Sequence, residues 1–227
     1  MSDSPDGSSV GSSGGSAAGS SVAGSAGGRW IVFEGGEGGG KSTQSNRLAA
    51  ALDAVLTREP GGTQIGARLR ELLLDPGTVE LDHRTEALLM AADRAQHLGQ
   101  VVVPALGSGR HVVSDRSAYS SIAYQGYARG LPVDEVRGLS DWAMQGRWPD
   151  LVVLLEVPGS VAAGRLGAKL DRIEQLGPEF HRRVADGFRE MAAADPDRWV
   201  VVDGSRSIDE VEATVRGAVR ERLQLPV

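Results

Sequence analysis

The segment FEGGEGGGKSTQ, residues 33 to 44, limits the possible folds of this chain more than any other stretch. It places Gly35 and Gly40 ahead of Lys41 and Ser42, which satisfies the pattern G-x-x-x-x-G-K-[ST]. An apolar run precedes the segment and a helical pattern follows it, so the glycines connect a strand to a helix. In that position small residues let consecutive backbone N–H groups surround an oxyanion, and the helix N-terminus adds partial positive charge. The segment therefore predicts a phosphate-binding loop, or P-loop.

The loop indicates a site for a nucleoside triphosphate, with ATP favoured. Lys41 is expected to bridge the β- and γ-phosphates, and the hydroxyl of Ser42 is expected to ligate Mg²⁺. A glycine-rich turn that carries Lys and Ser by coincidence is the alternative, and the strand-to-helix context disfavours it. The predicted ATP-binding residues of the loop are Gly35, Gly36, Glu37, Gly38, Gly39, Gly40, Lys41, Ser42 and Thr43.

Short apolar runs alternate with helical patterns from Arg29 onward. Strands are predicted at 30–34, 54–59, 111–115, 151–157 and 198–204. Helices are predicted at 41–53, 83–106 and 208–223, and around Ile65, Leu69, Leu72 and Leu73. Strands separated by helices imply right-handed crossovers and a parallel sheet that is covered on both faces. The predicted fold class is α/β, a three-layer P-loop NTPase sandwich with a five-stranded parallel sheet and a small mobile lid.

Residues 1–28 are almost entirely Ser, Gly and Ala. This composition predicts a disordered tail, because it offers too little apolar surface to offset the entropy of ordering. The stretch contains no Lys or Arg, which disfavours a transit peptide. An incorrectly chosen start codon would explain the stretch equally well.

Composition also restricts the partners. A formal net charge of -6 argues against a broad electrostatic grip on nucleic acid. The longest apolar runs are too short to span a bilayer, so no membrane partner is predicted. The chain has no cysteine, which excludes disulfides and thiolate zinc sites and fits a cytoplasmic location. The four histidines show no metal-ligand spacing and are expected to be surface or core residues.

The remaining composition narrows the class of P-loop protein. A GTPase would be expected to carry an Asn-Lys-x-Asp motif that reads guanine, but Asn46 is the only asparagine in the chain. A helicase or motor would usually be larger or more basic. These exclusions favour a small kinase, in which a second, phosphorylated substrate docks opposite the loop.

Five segments, taken in order, resemble the thymidylate kinase family. They are FEGGEGGGKSTQ, TREPGGT at 57–63, AADRAQH at 91–97, SDRSAYSSIAYQG at 114–126 and LDRIEQ at 170–175. The resemblance covers about residues 29 to 225 and implies one nucleoside monophosphate kinase domain at 29–227. It further implies ATP-dependent, Mg²⁺-assisted phosphorylation of dTMP to dTDP for dTTP biosynthesis, by direct in-line transfer in a homodimer.

Two arginines that follow predicted strands are candidate phosphate ligands. Arg58 ends a strand, so its guanidinium is expected at the carboxyl edge of the sheet, where a planar fork suits a phosphate monoester. The resemblance implies that Arg58 contacts the monophosphate of the acceptor. Asp115 and Arg116 follow another strand. Asp115 is expected to hold Mg²⁺ through water or to orient the acceptor, and Arg116 to clamp phosphate.

The resemblance also assigns contacts to the base and sugar. Arg94 matches the residue that reaches a thymine carbonyl, with Ser120 nearby, and Tyr124 matches an aromatic that packs against the sugar. For Tyr124, simple core packing is the alternative. Met90 stands where the family commonly has a Phe that stacks on the pyrimidine, which keeps open a kinase for another pyrimidine deoxynucleotide, such as a modified dUMP. The predicted substrate-binding residues are Glu37, Arg58, Met90, Arg94, Arg116, Ser120, Tyr124 and Gln125.

A lid is predicted at about 164–177, because the P-loop contains no Arg and the family then supplies this cation from a lid. The candidates are Arg165, Lys169 and Arg172, with Arg172 preferred because it lies in the better-matched segment, whereas Lys169 fits an ordinary solvated position. Arg206 is expected to pack on the adenine. A nucleotide-binding regulator without catalysis is the competing class of function. The predicted catalytic residues are Lys41, Asp115, Arg116, Arg165 and Arg172, and the predicted metal ligands are Ser42 and Asp115.

Overall fold

The structure is a computed structural model that describes residues 27–78, 80–167 and 169–227. The predicted tail lies outside the described residues, apart from its last two positions. The strands are β1 (Trp30–Glu34), β2 (Val55–Arg58), β3 (Val112–Asp115), β4 (Leu151–Glu156) and β5 (Trp199–Asp203). The helices are α1 (Lys41–Leu52), α2 (Gln64–Leu74), α3 (His83–His97), α4 (Val103–Gly107), α5 (Ala118–Ser121), α6 (Val133–Met144), α7 (Gly159–Arg165), α8 (Pro178–Ala194) and α9 (Ile208–Leu223).

The strands form a parallel sheet in the order β2-β3-β1-β4-β5. The chain moves to one side of β1 to form β2 and β3 and then to the other side for β4 and β5, so the order reverses beside β1. Phe33, one residue before the end of β1, is paired with Asp115 at the end of β3. Ligands of open α/β sheets bind at the carboxyl ends of strands around such a reversal. The predicted five-stranded parallel sheet is confirmed.

The central strand β1 is buried along its whole length, as expected of a parallel strand covered on both faces. On one face, Ile31 and Phe33 lie in a core cluster with Leu48 of α1 and Val215 of α9. On the other face, Trp30 and Val32 share a cluster with residues of the long helical region after α3. Helices therefore pack on both faces of β1, whose end leads directly into the glycine loop.

The predicted helix at 83–106 is interrupted in the structure. Asp82 caps α3 by accepting hydrogen bonds from the N–H groups of Arg84 and Thr85. After α3 the chain continues as a π-helical segment, Leu98–Val102, before α4 begins. A second π-helical segment, Ile122–Ala128, continues α5. Wider turns of this kind are frequent at functional sites, and the second segment carries two of the predicted substrate-binding residues.

The predicted lid spans the end of α7 and the segment that leads to α8. Position 168 lies outside the described residues. Within the described ranges, none of the helices combines the length and apolarity needed to cross a membrane.

Candidate active site

The P-loop turns tightly between β1 and α1, and two of its glycines leave no room for a side chain. Gly35 has φ 135° and Gly38 has φ 68°, both in the region that favours glycine. A Cβ at Gly35 would lie 2.4 Å from the carbonyl oxygen of Leu155, and one at Gly38 would lie 2.6 Å from that of Ala162. The loop is thus packed against the end of β4 and against α7.

Lys41, the first residue of α1, is buried in the loop. Its Nζ donates a hydrogen bond to the carbonyl oxygen of Gly36 at 2.7 Å. Burial and the nearby charge of Arg116 lower the pKa of Lys41, while Glu37 and Asp115 oppose that shift. The ammonium is therefore held at the cradle by the loop itself.

Ser42 and Asp115 meet where α1 begins and β3 ends. The Ser42 hydroxyl donates to Oδ2 of Asp115 at 2.5 Å. A hydroxyl and a carboxylate are oxygen donors of the kind that Mg²⁺ prefers, and Mg²⁺ usually takes one or two carboxylates together with substrate phosphates. The described residues contain no cluster of three or more Asp, Glu or His able to enclose a metal, so a site completed by phosphates fits this donor pair better than a protein cage.

Arg116 is the centre of a polar network beside the loop. Its guanidinium donates to Glu37, to the Ser120 hydroxyl at 3.0 Å and to the Tyr124 hydroxyl at 3.2 Å. Its φ of 73° is unusual for a residue with a side chain, and such strain tends to occur at functional sites. Burial alone would raise the pKa of Glu37, but the charges of Arg116 and Lys41 lower it to about 2. Glu37 and Arg116 are thus held as an ion pair.

One pocket brings together most of the predicted acceptor-binding residues. Met90 and Arg94 of α3 face it together with Pro60 and Asp171. It is also lined by the predicted residues Glu37, Arg116, Ser120, Tyr124 and Gln125. We call this the acceptor pocket.

Arg58 lines a neighbouring cleft instead, together with the P-loop residues from Gly38 to Thr43 and with Asp115. We call it the phosphate cleft. The acceptor pocket and the phosphate cleft share Glu37, Glu59, Arg70 and Arg116. The two are therefore adjacent, and a charged group at their junction lies within reach of both.

Arg70 was missed by the sequence reasoning, although it lines both sites. It lies on α2 and donates to the carbonyl oxygen of Pro60 at 3.0 Å. A Cβ at Gly61 would lie 2.8 Å from Cδ of Arg70, so the glycine lets this arginine lie over the turn. Burial and the charges of Arg58 and Arg116 lower its pKa, which marks a crowded cationic site. The sequence does offer a signal for Arg70: the turn PGG at 60–62 is followed by a helix that carries this arginine about two turns from its start.

Arg94 is buried and held by a network that the sequence did not reveal. Its Nε donates to Glu59 at 2.9 Å, and its terminal nitrogen donates to the Ser121 hydroxyl at 3.0 Å. His97 contacts the other oxygen of Glu59 at 2.8 Å and Thr57 at 2.7 Å, so this histidine is a core residue. Burial alone would raise the pKa of Glu59, but the charge of Arg94 and the contact with His97 lower it.

Neighbouring serines on α5 have separate partners. Ser121 contacts Arg94, whereas the Ser120 hydroxyl donates to Glu34 at 2.6 Å and accepts from Arg116. Both line the acceptor pocket. The structure thus pairs Arg94 with Ser121 rather than with Ser120, and sequence reasoning overlooked Ser121, Glu34 and Glu59.

The two arginines of the predicted lid occupy different sites. Arg165 lines the phosphate cleft and donates to the carbonyl oxygens of Gly204 at 2.9 Å and Gly38 at 3.3 Å. Arg172 donates instead to Glu86 at 2.6 Å and to the carbonyl oxygen of Leu73 at 2.8 Å. The preference for Arg172 as the cation of the phosphate cleft therefore does not match its position, because a buried carboxylate on α3 holds it elsewhere.

Arg206 lies next to the P-loop but does not line the phosphate cleft. It lines a small pocket with Gly39, Gly40 and Thr43, next to Arg165. Its Nε lies 3.4 Å from Asp203 at the end of β5. Its predicted contact with adenine remains a prediction.

A P-loop beside the reversal of a parallel sheet, a phosphate cleft and an adjoining second pocket define a P-loop nucleoside monophosphate kinase. The family model described as thymidylate kinase matches residues 33–215, and this chain belongs to the thymidylate kinase family. It is a phosphotransferase of that family, as the sequence motifs predicted.

Individual relatives agree with this membership. The chain is 46% identical over 198 residues to the thymidylate kinase of Cutibacterium acnes, covering 85% of this chain and 97% of that protein. It is 46% identical over 196 residues to that of Chromobacterium violaceum, covering 83% and 92%. The crystal structure of thymidylate kinase from Ehrlichia chaffeensis superposes with a TM-score of 0.70 at 32% identity, covering 85% of this chain and 99% of that one.

Proposed function

We propose that this chain transfers the γ-phosphoryl group of ATP to dTMP, giving ADP and dTDP for dTTP biosynthesis. The observation that carries the proposal is the junction of the two sites, where Glu37, Arg70 and Arg116 border both the phosphate cleft and the acceptor pocket. An oxygen of the acceptor monophosphate attacks the γ-phosphorus in line, and the bond from that phosphorus to the β,γ-bridging oxygen breaks. Catalysis of this kind rests on positioning and charge neutralisation.

On the donor side, the P-loop amides surround the phosphates and Lys41 places its ammonium beside them. Ser42 and Asp115 are the proposed ligands of Mg²⁺, which neutralises phosphate charge when bound. Arg165 is the proposed lid cation because it already lies at the cleft. Arg206 is the proposed neighbour of the adenine, supported by its position beyond the loop.

On the acceptor side, Arg58, Arg70 and Arg116 are the proposed ligands of the monophosphate. Tyr124 is the proposed sugar contact, because its hydroxyl joins Arg116 and Glu37 at 3.2 Å and 2.9 Å. For the base we propose three polar contacts, Arg94, Ser121 and Gln125. Met90 is the proposed apolar surface beneath the ring. For Ser120 we propose a supporting contact with Arg116 and no direct contact with the base.

We also propose a homodimer built on α3 and α6. The two helices pack together, and each exposes a large apolar side chain: Leu88 is 57% exposed and Trp142 is 77% exposed. A large exposed apolar side chain on each of two packed helices is the observation that supports this interface. We also propose a cytoplasmic location, which fits the chain's lack of cysteine.

The experiment that tests the function measures ADP release from ATP and Mg²⁺ with each acceptor supplied separately. We expect kcat/KM to be highest for dTMP among dTMP, dUMP, 5-hydroxymethyl-dUMP, UMP and dCMP. A higher value for another acceptor would replace dTMP as the substrate, and no turnover with any of them would refute the kinase proposal. No contact or relative favours the modified-pyrimidine kinase or the non-catalytic regulator.

A further inference from the structure

Glu86 of α3 is a fully buried carboxylate outside the proposed reaction. It accepts hydrogen bonds from Gln125 Nε2 at 2.9 Å, from Arg129 at 3.0 Å and 3.2 Å and from Arg172 at 2.6 Å. A buried charge is tolerated only when it is paired and hydrogen-bonded. Burial would raise the pKa of Glu86, but the bonds from Arg129, Gln125 and Arg172 lower it. The group is thus a charged acceptor that joins three other residues.

Gln125 is the partner that reaches the acceptor pocket. It is 1% exposed and lines that pocket. An ionised carboxylate can only accept hydrogen bonds, so its partner in Gln125 must be the NH₂ group and the amide orientation is determined. The opposite atom, Oε1, is buried and has no hydrogen-bond partner among the residues that the structure describes. A buried carbonyl oxygen of this kind calls for an N–H or O–H donor.

Arg172 connects the same carboxylate to the lid. Besides its bond to Glu86, its backbone N–H donates to the carbonyl oxygen of Leu74 at 3.0 Å. Its neighbours Asp171 and Ile173 line the acceptor pocket together with Leu74. The contacts of Glu86 thus fix both an amide in the wall of the pocket and the lid segment that borders it.

We propose that Glu86 is a positioning residue for acceptor recognition, which orients Gln125 so that Oε1 accepts a hydrogen bond from the ring imide N–H of the pyrimidine. The inference rests on the proposed function and deepens it, since it assigns the orientation of Gln125 to a residue that does not itself line the acceptor pocket. Thymine and uracil carry an N–H at ring position 3. Cytosine carries a bare nitrogen there, whose lone pair would face the lone pairs of Oε1. Arg94 supplies the complementary donor for a carbonyl.

Glu86→Gln tests the inference, because an amide can present its own NH₂ to Gln125 and let that side chain flip. We expect KM for dTMP to rise about tenfold, the equivalent of one hydrogen bond, with KM for ATP within about twofold of wild type. The ratio of kcat/KM for dTMP over dCMP is expected to fall by about tenfold as well. A role in folding alone would not change that ratio.

A double-mutant cycle with Gln125→Ala separates action through Gln125 from an independent effect. We expect the double variant to discriminate between the two bases no worse than Gln125→Ala alone. This inference alone is overturned if the effects of the two substitutions multiply. It is also overturned if Glu86→Gln leaves the kinetics unchanged while the wild-type enzyme phosphorylates dTMP. A wild type without dTMP turnover would overturn the proposed function and this inference with it.

Two further variants guard against loss of structure. Glu86→Asp keeps the buried charge but shortens its reach, and we expect the same shift in the dTMP/dCMP ratio at about threefold, from a partly lost hydrogen bond. Arg129→Met removes the hydrogen bonds from Arg129 to Glu86 and the stacking of Arg129 on the Phe180 ring, whose centroid is 5.0 Å away. It leaves the bond between Glu86 and Gln125 in place. It is the matched control: lower thermal stability with an unchanged ratio supports the inference, and an equal fall in the ratio contradicts it.

Discussion

Lys41 is the residue whose position ties the P-loop most directly to chemistry, since a buried ammonium lies in the cradle itself. Lys41→Ala removes this charge from the phosphate cleft. We expect kcat to fall by about 10³-fold, because preorganised charge at a developing negative centre is a large contribution to catalysis. ADP release in the presence of dTMP measures the loss, and circular dichroism checks that the fold is kept. Arg68→Ala, which removes an exposed cation of α2, is expected to leave turnover unchanged; normal turnover by Lys41→Ala would refute the assigned role.

Glu34 is predicted to make stability depend on pH. This buried carboxyl ends β1 and accepts hydrogen bonds from Ser117 and Ser120. Burial, opposed by the charge of Arg116, raises its pKa from 4.5 to about 7. The folded state therefore holds the proton more tightly than the unfolded state, so stability from this group is fully present below pH 4.5 and is lost as pH rises through 7.

Glu34→Gln stays neutral at every pH and should lack this loss. Relative to wild type, we expect its free energy of unfolding to improve by about 3 kcal/mol between acidic and mildly alkaline pH. Urea unfolding at a series of pH values gives the difference curve. Glu221→Gln, at an exposed position of α9, is the matched control for the loss of one carboxylate. A Glu34→Gln curve that coincides with the Glu221→Gln curve would show that the pKa of Glu34 is not raised.

The predicted lid carries two arginines, and we expect them to have different roles. Arg165 lies at the phosphate cleft, so Arg165→Ala should lower kcat by roughly 10²-fold with little change in thermal stability. Arg172→Ala leaves Glu86 short of a partner and should destabilise the fold by about 3 kcal/mol. It should also raise KM for dTMP, since the neighbours of Arg172 border the acceptor pocket.

Steady-state kinetics and thermal unfolding of the two variants provide the comparison. Both substitutions remove one arginine from the same lid, so each serves as the control of the other. A large loss of kcat in Arg172→Ala with unchanged stability would restore that residue as the lid cation.

The exposed apolar side chains of α3 and α6 predict how two copies of the chain assemble. Leu88→Arg places a charge in the proposed interface, and burying an unpaired charge is costly. We expect sedimentation velocity to show a dimer for the wild type and a monomer for the variant. Val201→Arg is the matched control, because Val201 is 51% exposed on β5, away from both helices. A dimer that survives Leu88→Arg would place the interface elsewhere.

Local patterns in the sequence were sufficient for the sheet and the P-loop. β1 and the loop were predicted at their observed positions, because a buried apolar run followed by G-x-x-x-x-G-K-S has a single regular conformation. The helix predicted at 83–106 was wrong in its continuity, since apolar periodicity does not distinguish α-helical from π-helical turns. Arg58 ends β2 and Asp115 ends β3, so the two residues lie at the same edge of the sheet.

Motif spacing along the chain was sufficient to predict the fold, the family and the set of chemical groups, because these depend on local patterns. The contacts between distant side chains became known from the folded structure alone: Arg172 binds Glu86, which is 86 positions earlier, while Arg165 reaches the phosphate cleft. Arg94 likewise meets Glu59 and Ser121 from separate elements. Such partners are selected by packing in three dimensions, which brings together residues whose separation along the chain gives no sign of their contact.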